Sequence, residues 1–452
     1  MKVAVKVSGI FVALFVVIAV IPAVIPDEEY SAGAGQWLKD ANNPEVLPNE
    51  VNRFNALVGF YVDADKDMVV EGVKLIAEVN AQLSASAEKN TETQKLNAYW
   101  DKPPLSASEN LSRETSVAFG VDPAQWLLAN HDNYSESVSS NQILLERFRQ
   151  LMTMQQYSYT MKLDINAPSI SYSSFLAMKR LNNLSIIDEF ISTNKQSAIH
   201  RLQQNISFSK LMMKQSALLL DKMISAAFLK IDLLTYSSLL DQSPGDDSSK
   251  FVMTNLQADE SGMLNAFKGE FAFLSTSLDL DNPYDLDGSS VKQGMFEKFV
   301  VKSYFKPKRM ENNAYKNMWL PFLELKDQPL ASRKIIVEGA GENKLSWWQI
   351  YQDPIGYVLF SIATPSYFQY IDAIDHADAT ITLLNLKSSI YSNKISSANV
   401  ENYISSLSAV MNTGYTGAKF SWNKDKRELS FDIPDYKDEG IPRIKLYTNR
   451  KR

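Results

Sequence analysis

Asp372 and His376 stand four residues apart in a stretch that reads as helix, with Asp375 and Asp378 beside them. Residues at i and i+4 share a helix face, so this carboxylate and imidazole can meet. A catalytic zinc needs three protein ligands. The third would have to come from His131 or His200, and nothing in the spacing brings either close. A solvated i,i+4 pair is the simpler reading.

Two acidic stretches invite a calcium reading. The first, "LDLDNPYDLDGSS", holds Asp279, Asp281, Asp285 and Asp287 ahead of Gly288. It is rich in oxygen and prone to turn, but its spacing fits no standard loop, and a solvated acidic loop is favoured. The second, "DADKDMVVEGVK", alternates Asp63, Asp65 and Asp67. An EF-hand loop needs glycine at its sixth position and a bidentate glutamate at its twelfth. Met68 and Lys74 stand there instead. These acids are better placed to cap the helix that follows, where carboxylates meet its positive end.

Nucleophile and phosphate-loop signatures are missing: the chain contains no G-x-S-x-G, H-E-x-x-H, G-x-x-x-x-G-K-[ST] or G-x-G-x-x-G. An S-x-x-K occurs at Ser207–Lys210, without the companion S-D-N and K-T-G that would give it meaning. Lys302, Lys306, Lys308 and Arg309, beside Tyr304 and Phe305, form a small basic patch that reads as a solvated face. Trp347, Trp348, Tyr351 and Tyr357 could line a groove, but aromatics at that density are more often core. Glycosylation triplets begin at Asn110, Asn183 and Asn205. The expectation is therefore no catalytic residue and no cofactor, with Asp372, His376, Asp281, Asp285 and Asp287 as weak metal candidates.

The elements that would position these residues are mostly helices. Phe54, Leu57, Val58 and Tyr61 recur at helical spacing, and a second run follows through Met68, Val73, Ile76 and Val79. "DKPPLSASEN" and "ANHDNYSESVSSN" read as loops. Helices are then predicted from Ile143 to Met152 and from Phe175 to Ile191. The stretch 197–240 carries an apolar stripe from Leu202 to Leu234 and, if unbroken, would make a rod of about 65 Å. A stripe that long needs a partner, which implies a helical hairpin or bundle. "DQSPGDDSSK" closes it. Ile335–Val337 looks like a strand turned at Gly339–Gly341. Thr364-Pro365 opens a helix reaching about Ile390, and another lies near Ala398–Met411. "KFSWNKDKRELSFDI" alternates strictly. It predicts a β-hairpin with Phe420, Trp422, Leu429, Phe431 and Ile433 on one face and "NKDK" as the turn.

Residues 7–25 carry no charge and span about 28 Å as a helix, close to the thickness of a bilayer core. Lys2 and Lys6 precede them; Asp27, Glu28 and Glu29 follow. Positive charge stays in the cytoplasm, so the bulk of the chain is expected outside it. A cleaved signal peptide has a shorter apolar core with small residues close behind. Here the nearest A-x-A is Ala32–Ala34, past the three acids, which favours a retained anchor. Residues 1–6 are too few for a cytoplasmic domain, and no second stretch reads as membrane-length. The 452 residues contain no cysteine, which removes disulfides, thiolate catalysis and Cys-type metal sites. A net charge of −6 argues against a general nucleic-acid binder.

The expected architecture is mainly α: a transmembrane anchor at 1–26, a tether at 27–50 with Trp37 either at the membrane interface or packed on the body, a helical domain at 51–250 with a long hairpin, and an α+β region at 251–452 ending in a β-hairpin. The composition looks bacterial. The expected protein is a single-pass inner-membrane protein with its N-terminus cytoplasmic and its body periplasmic. It would scaffold other envelope proteins and could oligomerise through the long helices; a hydrolase or ligand-binding protein using an acidic/His site is the alternative.

Overall fold

A computed structural model describes residues 25–84, 104–108, 110–164, 167, 170, 172–244, 251–277, 305–325, 346–353, 367–407, 419–432 and 443–446. Most of the apolar run at 7–25, the acidic loop Asp279–Asp287 and the strand expected at Ile335–Val337 lie outside the described residues. So do the glycine turn that follows that strand, Tyr357, Lys302 and Tyr304 of the basic patch, the helix start at Thr364-Pro365, Met411 at the end of the following helix, and Ile433 of the hairpin.

The first part of the segment expected as a tether, residues 27–42, is folded onto the body, while residues 43–50 form a largely exposed connection. Helix α1 (Ala32–Asn42) starts where the Ser31 hydroxyl accepts the Ala34 amide, and it buries Ala34 and Trp37. The Trp37 ring stands edge-on to Phe271 at 6.0 Å and Tyr315 at 5.0 Å. Of the two places considered for Trp37, it takes the one on the body, because the indole gains most by burial.

Helices α2 (Arg53–Val58) and α3 (Met68–Ser84) cross closely, because a Cβ on Gly72 would lie 1.8 Å from the Asn55 carbonyl oxygen. Asp67 caps α3, accepting the Val69 and Val70 amides at 2.8 and 2.9 Å. The loop's carbonyl oxygens face a guanidinium: Arg147 donates to those of Phe60, Val62, Asp63 and Lys66 at 2.6–2.9 Å. The acids at 63–67 thus serve the turn.

Four helices follow: α4 (Leu111–Gly120), α5 (Pro123–Ala129), α6 (His131–Ser140) and α7 (Gln142–Thr153). The stretch "ANHDNYSESVSSN", expected as a loop, contains α6. Its turn-forming residues face solvent while Tyr134 and Ser137 are buried, so tertiary packing overrides a weak local preference.

The body is built on α8 (Tyr172–Ser192), α9 (Lys195–Gln215) and α10 (Leu219–Gln242), which run up, down and up. The 65 Å rod is not formed: residues 216–218 break it, and α10 folds back on α9 as an antiparallel pair. α10 starts without a side-chain cap of its own. Instead, Glu270 from α11 (Leu264–Ser277) accepts the Leu219 amide at 2.9 Å. Between the three core helices lies a closed polar layer. Lys179 reaches both oxygens of Asp232, at 2.7 and 2.8 Å. Asn183 donates to Asp232 at 2.8 Å and to Thr235 at 2.9 Å, Ser209 donates to Asp232 at 2.7 Å, and Asn205 donates to Asn183 at 2.8 Å. Burial pulls the Lys179 ammonium down, against the attraction of Asp232. Asn183 and Asn205 are almost wholly buried, so their triplets are closed to glycosylation in the folded chain.

Among the described residues α10 is the one helix long and apolar enough to cross a membrane, and 72 % of that stretch is buried in the protein. Asp221, Asp232 and Asp241 each bond inward from it, which makes it a core helix.

Helix α12 (Pro307–Ala314) continues through a π-turn at 315–319 into residues 320–325. The described part of the basic patch expected on a solvated face, Phe305, Lys306, Lys308 and Arg309, is engaged there. Asp27 accepts the Lys308 and Arg309 amides at 2.9 and 3.0 Å, capping α12 from far along the chain. Lys308 pairs with Glu29 at 3.0 Å and Arg309 with Glu28 at 3.4 Å, while Phe305 and Lys306 are buried.

Helix α13 (Trp347–Gln352) reverses another expectation. Trp347 is 75 % exposed and Trp348 44 %, so these rings are surface, not core. Helix α14 (Tyr367–Ser392) lies beside α10, and α15 (Val400–Leu407) follows. The expected hairpin forms as β1 (Lys419–Asn423) and β2 (Glu428–Asp432), with Phe420 opposite Phe431 and Trp422 opposite Leu429. On the other face Ser421 and Ser430 share a hydrogen bond of 2.6 Å. A third strand, β3 (Arg443–Lys445), joins β2 antiparallel, giving a small sheet in the order β1-β2-β3 that packs on α14.

A candidate cleft between two core helices

The sequence places Asp372 and His376 one turn apart, and the structure sets both on the wall of a cleft of about 590 Å³. One wall is the α10 face that repeats through Met223, Ala226, Ala227, Lys230, Leu233, Leu234, Ser237 and Asp241. The facing wall is α14, through Asp372, Ala373, His376, Ala377, Thr380 and Leu384. Both sets follow the three- and four-residue spacing of a helix face. Alanines at the facing positions leave the space open. Asp122 and Pro123, at the start of α5, and the strand β3 complete the lining.

The two helices are tied together beside the cleft by a buried polar knot. Lys387 donates to Asp241 at 2.8 Å and to the Ser237 hydroxyl at 2.9 Å, and Tyr391 donates to Asp241 at 2.6 Å. Burial raises the Asp241 carboxyl against the lowering pull of Lys387. Asp122 is likewise engaged: it caps α5 and accepts from Ser238 at 2.7 Å. Arg443 reaches Glu428 at 3.6 Å. The Lys230 and Lys445 ammoniums carry no carboxylate partner among the described residues.

The third ligand that a metal would need does not arrive. His131 lies 3.7 Å from Asp188, away from the cleft. His200 lines a separate polar groove with Arg149 and Arg201. No group of three or more His, Cys, Asp or Glu side chains is placed to hold a metal among the described residues. Asp281, Asp285 and Asp287 fall outside them. Ser207 is exposed and Lys210 buried against the Thr254 carbonyl at 2.5 Å, so the S-x-x-K pair does not form a unit.

The residues that join Asp372 and His376 come from elements far apart in sequence. Lys387 and Asp241 did carry a signal, since each interrupts or ends an apolar helical run. Lys230 and Lys445 carried none.

A second polar cluster is equally buried but closed. Asp221 accepts from Tyr157 at 2.7 Å and from Tyr172, and burial raises its carboxyl. The space beside it is about 10 Å³, too small for more than one water. The groove beside Arg149, His200 and Arg201 is larger, about 770 Å³, but polar; the α10–α14 cleft combines room for a ligand with apolar walls and polar groups of both signs at its edge. No protein-family model matches the chain, and neither a curated protein nor a solved structure is significantly similar to it.

Proposed function

We propose that this protein is a membrane-anchored scaffold or assembly protein of the bacterial cell envelope. It is held in the inner membrane by residues 7–25, with its N-terminus in the cytoplasm and its helical body in the periplasm, and it acts by binding other envelope proteins. The observation that carries the retained anchor is the integration of residues 27–42 into the body. Asp27 caps α12, Tyr30 and Trp37 pack against α11 and the α12 region, and Ala34 is wholly buried. Cleavage after Ala34 would cut α1 in its first turn and remove the Asp27 cap. The uncharged run with Lys2 and Lys6 before it and three acids behind it supports the orientation.

The test joins topology to partner capture. In a bacterial host the full chain should stay with membranes after carbonate extraction, and a C-terminal reporter should work only outside the cytoplasm. Cross-linking in native membranes should then capture defined envelope proteins. A freely soluble mature chain starting near Gly35, or a reporter working only in the cytoplasm, overturns the reading.

The cleft favours a second reading: a ligand-binding protein of the same compartment. Its volume lies within the range of roughly 300–1,000 Å³ that small-molecule sites occupy.

A further inference from the structure

We propose that the α10–α14 cleft binds a single-chain anionic amphiphile, its hydrocarbon tail between the helices and its carboxylate or phosphate head at a lysine on the rim. The inference deepens the ligand-binding reading and rests on it.

Three observations support it. The walls are hydrocarbon along most of their length: Met223, Ala226 and Leu233 face Ala377 and Leu384, with Ile444 beside them. Leu234 on the same wall is left 36 % exposed. A tail lying there removes apolar surface from water at roughly 25 cal/mol per Å². The polar groups sort by engagement. Asp241 is held by Lys387 and Tyr391, Asp122 caps α5, and Arg443 reaches Glu428. What remains unengaged among the described lining residues is Lys230 on α10, Lys445 on β3 and the exposed Asp372 on α14. Cations outnumber the acid, so an anionic head is preferred over a cationic one. Finally, the cleft volume of about 590 Å³ falls in the range of small-molecule sites, roughly 300–1,000 Å³.

The shared ligand chemistry is a long chain with one anionic head. A free fatty acid and a lysophospholipid both present it, and the experiment separates them. Full-length protein in phosphatidylcholine vesicles is exposed to a palmitate analogue carrying a photoreactive diazirine near the chain end, and labelled peptides are mapped by mass spectrometry. Labelling is expected within residues 219–242 and 367–392. Competition by unlabelled palmitate, or by lysophosphatidylglycerol, identifies the head that fits better. Hexadecyltrimethylammonium should compete poorly.

Lys230→Glu and Lys445→Glu, both on the surface, should leave the fold intact. The one that holds the head should weaken competition about tenfold, as expected for loss of a charge-assisted contact. Ala373→Phe, at a partly exposed wall position, should reduce labelling by filling the space. Labelling confined to residues 7–25 would show only bilayer contact and overturns the proposal. So does equal competition by the cationic amphiphile, or an absence of labelling, as would follow if a partner protein or another segment of this chain filled the cleft. Failure of the membrane anchor alone would leave labelling of the cleft unchanged, so the outcomes are distinguishable.

Discussion

The Lys179 ammonium lies 2.7 Å from Asp232 Oδ1, and both side chains are wholly shielded from solvent. Each oxygen of Asp232 also takes a further neutral donor, Asn183 or Ser209. The layer is satisfied internally, which is the condition under which a buried charge pair is tolerated at all.

Removing one partner leaves the other charge stranded. Lys179→Met is expected to destabilise the folded body by on the order of 3–5 kcal/mol. The double variant Lys179→Met with Asp232→Leu should cost less than the single one, because no charge remains buried. Urea unfolding followed by tryptophan fluorescence measures both. A single variant that unfolds at the parent's midpoint would remove the pair from the list of stabilising contacts.

Glu311 gives the body a pH dependence. Its carboxyl is buried beside Tyr30, Ser275 and Asp27, its Oε2 has no hydrogen-bond partner, and burial raises it from 4.5 to about 7. Between those values the folded chain keeps a proton that the unfolded chain has lost. Stability therefore falls as pH rises from about 4.5 to about 7 and levels off above, with a full penalty on the order of 3 kcal/mol. Glu311→Gln should flatten this profile and exceed the parent in stability above neutral pH. Thermal midpoints across the range check it; superimposable profiles for the two proteins would refute it.

Two tryptophans should behave oppositely. Trp37 is 6 % exposed between Phe271 and Tyr315, whereas Trp347 is 75 % exposed. Trp37→Ala is expected to cost about 3–5 kcal/mol, and Trp347→Ala to stay within about 0.5 kcal/mol of the parent. Differential scanning calorimetry distinguishes them. Equal effects would mean that α1 is not held on the body as described.

Arg147 organises the turn after α2 through its four backbone acceptors. Arg147→Lys should fail to rescue what Arg147→Ala loses, since an ammonium cannot present the same planar fork. Hydrogen exchange of amides in residues 60–67 is the readout, with faster exchange expected in both variants. Protection restored by lysine would show that charge alone suffices.

What could be read from the chain follows from where each determinant lies. The hairpin was legible because alternation and turn sit within one short stretch, and the structure adds only β3, whose partner residues come later. Helices α7, α8 and α14 were legible from apolar spacing. The break between α9 and α10 was not, because Ser216, Ala217 and Leu218 contain no proline or glycine. The helix start is made by Glu270, and Gly269 allows the close approach to the Ala217 carbonyl. The cap that Asp27 places on α12 is remote in the same way. For the cleft, Asp372 and His376 were found by their spacing, yet the wall they face belongs to α10. The charges buried in apolar runs, Lys179, Asp232 and Lys387, were the overlooked signal, since a core-facing charge implies a partner.

Asp27 is separated from the apolar run only by Pro26, whose ring fixes its backbone φ near −65°. With that run in lipid, the body would be mounted as a bracket rather than trailing as a pennant. A single residue spans roughly 3.3–3.6 Å at most, so the body would be kept close against the bilayer. A flexible insertion after Pro26 would let it stand off without altering a single contact surface.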